Sequence, residues 1–359
     1  MKCHNPRIGW RIGQHYTKDG ILSPKITFSE REAIAYFTAT GMLPYMDSYS
    51  MAFPCGHCVA CLINKRKDWS TRLTHEIGEF DKSCFVTLTY NDDYIPTTSK
   101  DDWSSPCKLF DTGLYSGEDF IPSLCVGDVQ RFIKRVRRHL EYLPKRAKNR
   151  VGRDHVTSKI RYFVVGEYGP KTHRPHYHII IFGWSPSDVT PFFRSKSGQQ
   201  VYRSAQLEKL WPYGYVTVES CGCGTAQYCA QYVTKKLTKK PSRFDSYVVP
   251  EFFRYSTRGG GIGTTWLKKY YRQCLRIDYP YVTYRNGKNI IKASIPVAYK
   301  RWIRKYRVEA YLSWRDSMVK FIQFERLEGR SSRVDWDDQY RKIAMDIHKQ
   351  EEFFERCEL

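Results

Sequence analysis

The stretch "RPHYHIIIFG", residues 174–183, is the feature that most constrains the fold. It reads as a strand, in which residues two apart share a face, so His176 and His178 project together while Tyr177 points away. Two readings fit: a pair of imidazoles capping a buried strand, or half of a metal site. The preceding "KIRYFVVGEYG" also reads as a strand, and the Gly-, Pro- and Lys-rich segment between them makes the pair a hairpin with a broad tip. Glu167 ends the first strand, where antiparallel pairing would set its carboxylate beside the two rings. The alternative for Glu167 is an exposed hairpin carboxylate. Two imidazoles and one carboxylate, with open positions, suit Mg²⁺ or Mn²⁺ engaged with a phosphate oxygen.

The chain that carries this hairpin is strongly basic. Its 359 residues hold 59 Lys and Arg against 37 Asp and Glu, a net charge of +22. That balance suits a phosphate backbone or an anionic membrane. No apolar run approaches the roughly 20 residues of a spanning helix, and the start "MKCHNPRIGWRIGQHYTKDG" has no apolar signal core. A nucleic-acid partner and no membrane are expected. Twelve cysteines in so long a chain fit reduced thiols, some of them on zinc, better than a secreted disulfide framework.

Along the chain, the first 80 residues read as short irregular segments, the cluster "CGHCVAC" and a basic amphipathic helix, "LINKRKDWSTRLTHEIGEF". "SCFVTLTY" (83–90) has strand composition and ends in the turn-like "NDDYIP". Residues 97–125 read as a long loop. "VGDVQRFIKRVRRHLEYL" (126–143) predicts a helix with Asp128 as N-cap and an apolar stripe of Val129, Phe132, Ile133, Val136 and Leu140. Five Arg or Lys fill 131–138, and Arg131, Lys134, Arg135 and Arg138 are the expected phosphate contacts. "TAQYCAQYVTKKLTKK" (225–240) predicts a further helix. The expected organisation is an N-terminal Cys-cluster and basic-helix segment (1–80), an α+β core with a central antiparallel β-sheet flanked by helices (81–240), a Gly-rich and β-like extension (241–300) and a helical C-terminal region (301–359).

On the 225–240 helix, Tyr228 and Tyr232 lie one turn apart on one face, continued by Lys235 and Lys236. With 27 tyrosines in the chain the pair also fits core packing. A phenol becomes a nucleophile only with help from positive charge, and two lysines and a cation would give it. A metal that polarises a phosphate and a tyrosine that attacks it are halves of one reaction, transesterification of DNA. Cys55, Cys58 and Cys61 are spaced for zinc, with Cys3, His4 or His57 as a fourth ligand, or else are buried thiols in a turn.

The segments "FVTLTYNDDYIP", "GEYGPKTHRPHYHIIIFG" and "AQYCAQYVTKK" together resemble the three motifs of HUH-type rolling-circle replication initiators, with Tyr177 as the hydrophobic residue. The "MKCHNP" start, Pro54 to Cys61 and "STRGGGIGTTW" bring the resemblance to the gokushovirus group of the microviruses, over residues 1 to about 300. The resemblance implies an HUH endonuclease domain and a metal-dependent, site-specific nickase and strand-transfer enzyme. His176 and His178 would be metal ligands, with Glu167 the third and Asp92 or Asp93 as substitutes. Tyr228 and Tyr232 would be the two nucleophiles, and Lys235 or Lys236 a phosphate-contacting cation. It implies as partners the single-stranded origin DNA of a phage genome, a host helicase and a host DNA polymerase, in the cytoplasm of an infected bacterium. The absence of G-x-x-x-x-G-K-[ST] agrees with a reaction that needs no ATP. Two rivals are an HUH transposase or plasmid initiator and a zinc-stabilised nucleic-acid-binding protein without catalysis.

Overall fold

The structure, a computed structural model, describes residues 2–17, 20, 22–98, 121–147, 160–170, 172–195, 198–238, 248–277 and 281–327. The chain divides into two compact units. One comprises Met1–Lys65, Leu275–Tyr279 and Lys300–Leu359, and the other Arg66–Cys274 and Pro280–Tyr299.

In the first unit, strands β1 (Arg7–Tyr16), β2 (Leu22–Thr27) and β3 (Ser50–Phe53) form an antiparallel sheet of order β2-β1-β3 beside helix α1 (Glu30–Ala39). The sequence reading expected irregular segments here. β1 is rich in Arg, Gly and polar residues and buries only Gly9 and Ile12, so its apolar period is faint. Ser29 caps α1 by accepting from the Glu32 amide at 3.3 Å. The core of this sheet and helix is small: Ile12, Ala33 and Phe37, with aromatics and methionines half-buried around them. The unit boundary falls inside helix α2 (Val59–Gly78).

The second unit is built on a seven-stranded antiparallel sheet. Its strands are β4 (Ser83–Tyr90), β7 (Arg161–Tyr168), β8 (Pro175–Phe182), β9 (Val189–Arg194), β10 (Gln200–Ser204), β11 (Gly214–Ser220) and β12 (Phe252–Tyr255), in the order β12-β7-β8-β4-β11-β10-β9. A short ladder of β5 (Thr97–Thr98) with β6 (Ile121–Pro122) precedes helix α3 (Val126–Ala147). Helices α4 (Ala205–Leu210), α5 (Cys223–Thr238) and α6 (Thr264–Tyr270), and the hairpin β13 (Tyr281–Asn286) and β14 (Asn289–Ser294), complete it. Helices α7 (Val297–Tyr306) and α8 (Val308–Leu327) follow. The predicted helical residues 328–359 lie outside the described residues.

Alternation sorts the sheet into two apolar layers. Cys84, Val86, Leu88 and Tyr90 of β4, Tyr177, Ile179 and Ile181 of β8 and Val216 and Val218 of β11 face α3 and α4. The α3 stripe of Val129, Phe132, Ile133, Val136 and Leu140 packs there, every member no more than 4 % exposed. Each such side chain contributes about 1.5–3 kcal/mol. Phe85, Phe163, Val165, Ile180 and Phe182 face the other way, against Ala226, Cys229, Ala230 and Val233 of α5 and Trp69 and Leu73 of α2. β8 is covered on both faces, which is why its apolar run does not alternate.

Two local expectations are corrected. Asp128 is not an N-cap: it lies within the first turn of α3, fully buried, accepting from the Tyr90 hydroxyl at 2.7 Å and from Arg131 at 2.5 Å. "CGCG" is not a turn throughout, because α5 begins at Cys223. Strand β11, unrecognised in the sequence, lies between β4 and β10 in the middle of the sheet.

Candidate active site

The pairing of β7 with β8 places Glu167 opposite His176 and Val165 opposite His178, so the carboxylate and both rings share the α5 face. Next to Glu167, Gly166 pairs with Phe252 of β12, and a Cβ there would stand 3.0 Å from the Phe252 ring and 3.1 Å from Leu124. A glycine is what lets this edge strand close over the carboxylate's neighbour.

Glu167 Oε1 is 2.8 Å from His176 Nε2 and 2.8 Å from His178 Nε2. The second ring nitrogens are held too. His176 Nδ1 is 3.1 Å from the Arg174 carbonyl, and His178 Nδ1 is 3.1 Å from the Thr87 hydroxyl. A carbonyl only accepts, so His176 Nδ1 carries a proton and the neutral ring turns its Nε2 lone pair towards Glu167. Two imidazole nitrogens and a carboxylate oxygen, all within 4.8 Å of one another, then require either extra protons or one cation between them. This donor set fits a divalent ion with coordination positions to spare. Burial alone would raise the Glu167 carboxyl, but hydrogen bonds from His176 and His178 outweigh it and hold it well below the usual carboxylate range. Asp92 does not join them: it is ion-paired with Arg174 and largely exposed, and Asp93 is exposed as well.

Helix α5 brings both tyrosines to this cluster. The Tyr228 hydroxyl is 3.2 Å from His178 Nε2, and the Tyr232 hydroxyl donates to that of Tyr228 at 2.6 Å. Phe85 stacks on His178 with ring centres 5.5 Å apart, walling the site from the sheet. Tyr228 is 36 % exposed, so the pair forms the open side of the cluster. Burial of the hydroxyls, and then the charge of Glu167, push both phenols above their ordinary value. Lys235 and Lys236 lie on the same helix, but their side chains are outside the described residues.

The basic residues of α3 are elsewhere. The helix packs on the sheet face opposite the histidines, and Arg135 is engaged with the Leu210 carbonyl at 3.3 Å and the Tyr213 hydroxyl at 3.1 Å. Arg131 holds Asp128, while Lys134 and Arg138 line a shallow surface with Arg137 and Tyr142. The cysteines do converge. Cys3, Cys55, Cys58 and Cys61 bring four sulfurs within 4.8 Å of one another, with Cys3 rather than His4 or His57 in the fourth place.

Sequence reasoning missed Thr87, Phe85 and β11. The register carries the His176 row through Thr89 to Tyr215, and the His178 row through Thr87 to Thr217. Tyr215 is 60 % exposed on this face. Beyond it, Arg203 of β10 lies 3.9 Å over the ring of Phe192, and the two line a shallow cleft with Tyr215 and Thr217. The alternation Val216, Val218 in "GYVTVES" was the signal for β11.

The family described as "Replication-associated protein ORF2" matches residues 83–237, the span from β4 to α5 that holds every group of the His–Glu–Tyr cluster. Replication-associated protein VP4 of Bdellovibrio phage phiMH2K is 29 % identical over 310 residues, 85 % of this chain and 85 % of that protein. Replication-associated protein ORF2 of Spiroplasma virus 4 is 27 % identical over 298 residues, covering 81 % and 82 %. Replication-associated protein ORF4 of Chlamydia phage 1 is 28 % identical over 264 residues, covering 72 % of this chain and 55 % of that protein. No solved structure matches this chain.

Proposed function

From its place among the gokushovirus-type replication initiators of the microviruses, we propose that this chain is an HUH-type nickase that opens and recloses one strand of a phage genome at its origin. The observation that carries the proposal is the meeting of His176, His178 and Glu167 with the hydroxyls of Tyr228 and Tyr232. His176, His178 and Glu167 would hold Mg²⁺ or Mn²⁺, which when bound supplies positive charge to a scissile phosphate oxygen and to a forming phenolate.

The protein's own groups do the rest. One tyrosine oxygen attacks phosphorus, a Tyr–O–P bond forms, the bond to the 3′ oxygen breaks, and the departing 3′ oxygen takes up a proton to become the primer hydroxyl. The exchange conserves a phosphoester, so no nucleotide is consumed. The second tyrosine repeats the attack on the regenerated origin, and the new 3′-OH then displaces the first tyrosine to close the displaced strand. Tyr228 stands nearer His178 and Tyr232 reaches the cluster through it, so the two are placed to alternate. The single strand would lie across the open sheet face, its bases stacking on Tyr215 and Phe192 and its phosphates near Arg203. Unwinding and synthesis would fall to a host helicase and polymerase.

The test is incubation with labelled single-stranded origin DNA, with Mn²⁺ or with EDTA. Cleavage in Mn²⁺ and none in EDTA is expected. Salt-sensitive binding without cleavage in either would return the histidines to a structural role.

A further inference from the structure

The cysteine cluster takes no part in the proposed chemistry, and its geometry is specific. Cys3 comes from the N-terminal segment, and Cys55, Cys58 and Cys61 come from the turn before α2 and its first residues. Cys3 Sγ is 3.7 Å from Cys58 Sγ, and Cys55 Sγ is 3.9 Å from Cys61 Sγ. All four are free thiols. A tetrahedron with zinc–sulfur bonds of about 2.3 Å has sulfur–sulfur edges of about 3.8 Å. These contacts have that length, far beyond a disulfide's.

The backbone is arranged for thiolates. The amides of His57 and Cys58 donate to Cys55 Sγ at 3.4 and 3.3 Å, and the Cys55 amide donates to Cys3 Sγ at 3.2 Å. Gly56 makes this possible with φ +83°, turning the chain so that consecutive amides face one sulfur. The surrounding unit also has a use for a crosslink. Its sheet and helix α1 enclose a core of only Ile12, Ala33 and Phe37, small for an independent fold.

We propose that Cys3, Cys55, Cys58 and Cys61 bind one structural zinc ion as four thiolates, pinning the N-terminal segment to the start of α2. Four protein sulfurs leave no open position, so the centre is structural and takes no part in nicking. Sulfur ligands also separate it from the His–Glu cluster, whose oxygen and nitrogen donors suit a harder ion.

The experiment is elemental analysis of full-length protein purified reduced and without chelator, as wild type and as two variants. About one zinc per chain is expected in the wild type, kept in His176→Ala/His178→Ala and lost in Cys58→Ser/Cys61→Ser. Should the cysteine variant fail to fold, titration of the wild type with an organic mercurial decides: zinc should leave in step with about four modified thiols. Cobalt substitution should give the charge-transfer band of a thiolate-bound ion. Absence of zinc, iron in its place, a mass lower by the hydrogens of a disulfide, or zinc that follows the histidines would each overturn the assignment. None of these readouts needs nicking, so the proposal stands or falls separately from the proposed activity.

Discussion

Each imidazole of the cluster is held at both nitrogens, and that double hold gives the residues around the ligands measurable roles. Thr87 aims His178 through Nδ1 at 3.1 Å. Thr87→Val keeps the shape and removes the hydroxyl, so Mn²⁺ should bind about 10–100-fold more weakly, as when other outer-shell partners are removed. Calorimetric titration that gives the wild-type affinity would deny Thr87 this role. The tyrosines call for a different readout. With two hydroxyls 2.6 Å apart, Tyr228→Phe or Tyr232→Phe alone should leave some single cleavage but impair closure of the circle. Wild-type circle yield from both variants would refute the two-nucleophile scheme.

At the scale of elements, the Gly-rich segment before α6 is anchored by charge rather than by packing alone. Buried Glu76 of α2 accepts from the Gly263 amide at 2.6 Å and from the Thr265 hydroxyl at 3.1 Å, and pairs with Arg161 of β7 at 2.6 Å. Arg72 donates to the Ile262 carbonyl at 3.1 Å. Arg161→Met should cost about 3–5 kcal/mol in urea unfolding, because Glu76 is left as a buried unpaired charge. A loss under about 1 kcal/mol would mean water reaches the carboxylate. This anchoring was not legible in the sequence, since Glu76 and Gly263 are 187 residues apart and Arg161 and its second partner Thr265 are 104 apart. The hairpin of β7 and β8 was legible, because side-chain alternation and a short connection dictate which residues face each other. Helix α3 was legible from its stripe, but its Arg and Lys residues said nothing of which sheet face the stripe would choose. The edge strand β9 was missed because all six of its residues are exposed, and Phe192 and Phe193 stand side by side without a period.

Across the molecule, pH acts on stability through His75. Its ring is buried, stacked on Trp266 at 3.8 Å and bonded to the Tyr299 hydroxyl at 2.9 Å and close to the Thr283 carbonyl at 3.1 Å. Burial lowers its pKa from 6.5 to about 4. Below pH 6.5 the unfolded chain therefore takes up a proton that the folded chain refuses, and stability falls as the pH drops towards 4. Between pH 7.5 and 5 the loss from this group is roughly 2 kcal/mol. Urea melts of wild type and His75→Gln should differ in slope against pH by that amount, and parallel curves would deny the ring its neutral state. The net charge of +22 sets the wider frame, since it favours a polyanionic partner whatever the chemistry. Only a covalent product distinguishes a nickase from a binder. The most direct measurement is protease digestion of protein reacted with origin DNA and Mn²⁺, followed by mass-spectrometric location of the nucleotide-linked peptide. Among 27 tyrosines, the account predicts a 5′-phosphotyrosine on Tyr228 or Tyr232 and on no other. An adduct on a different residue, or none with cleavage present, would contradict it.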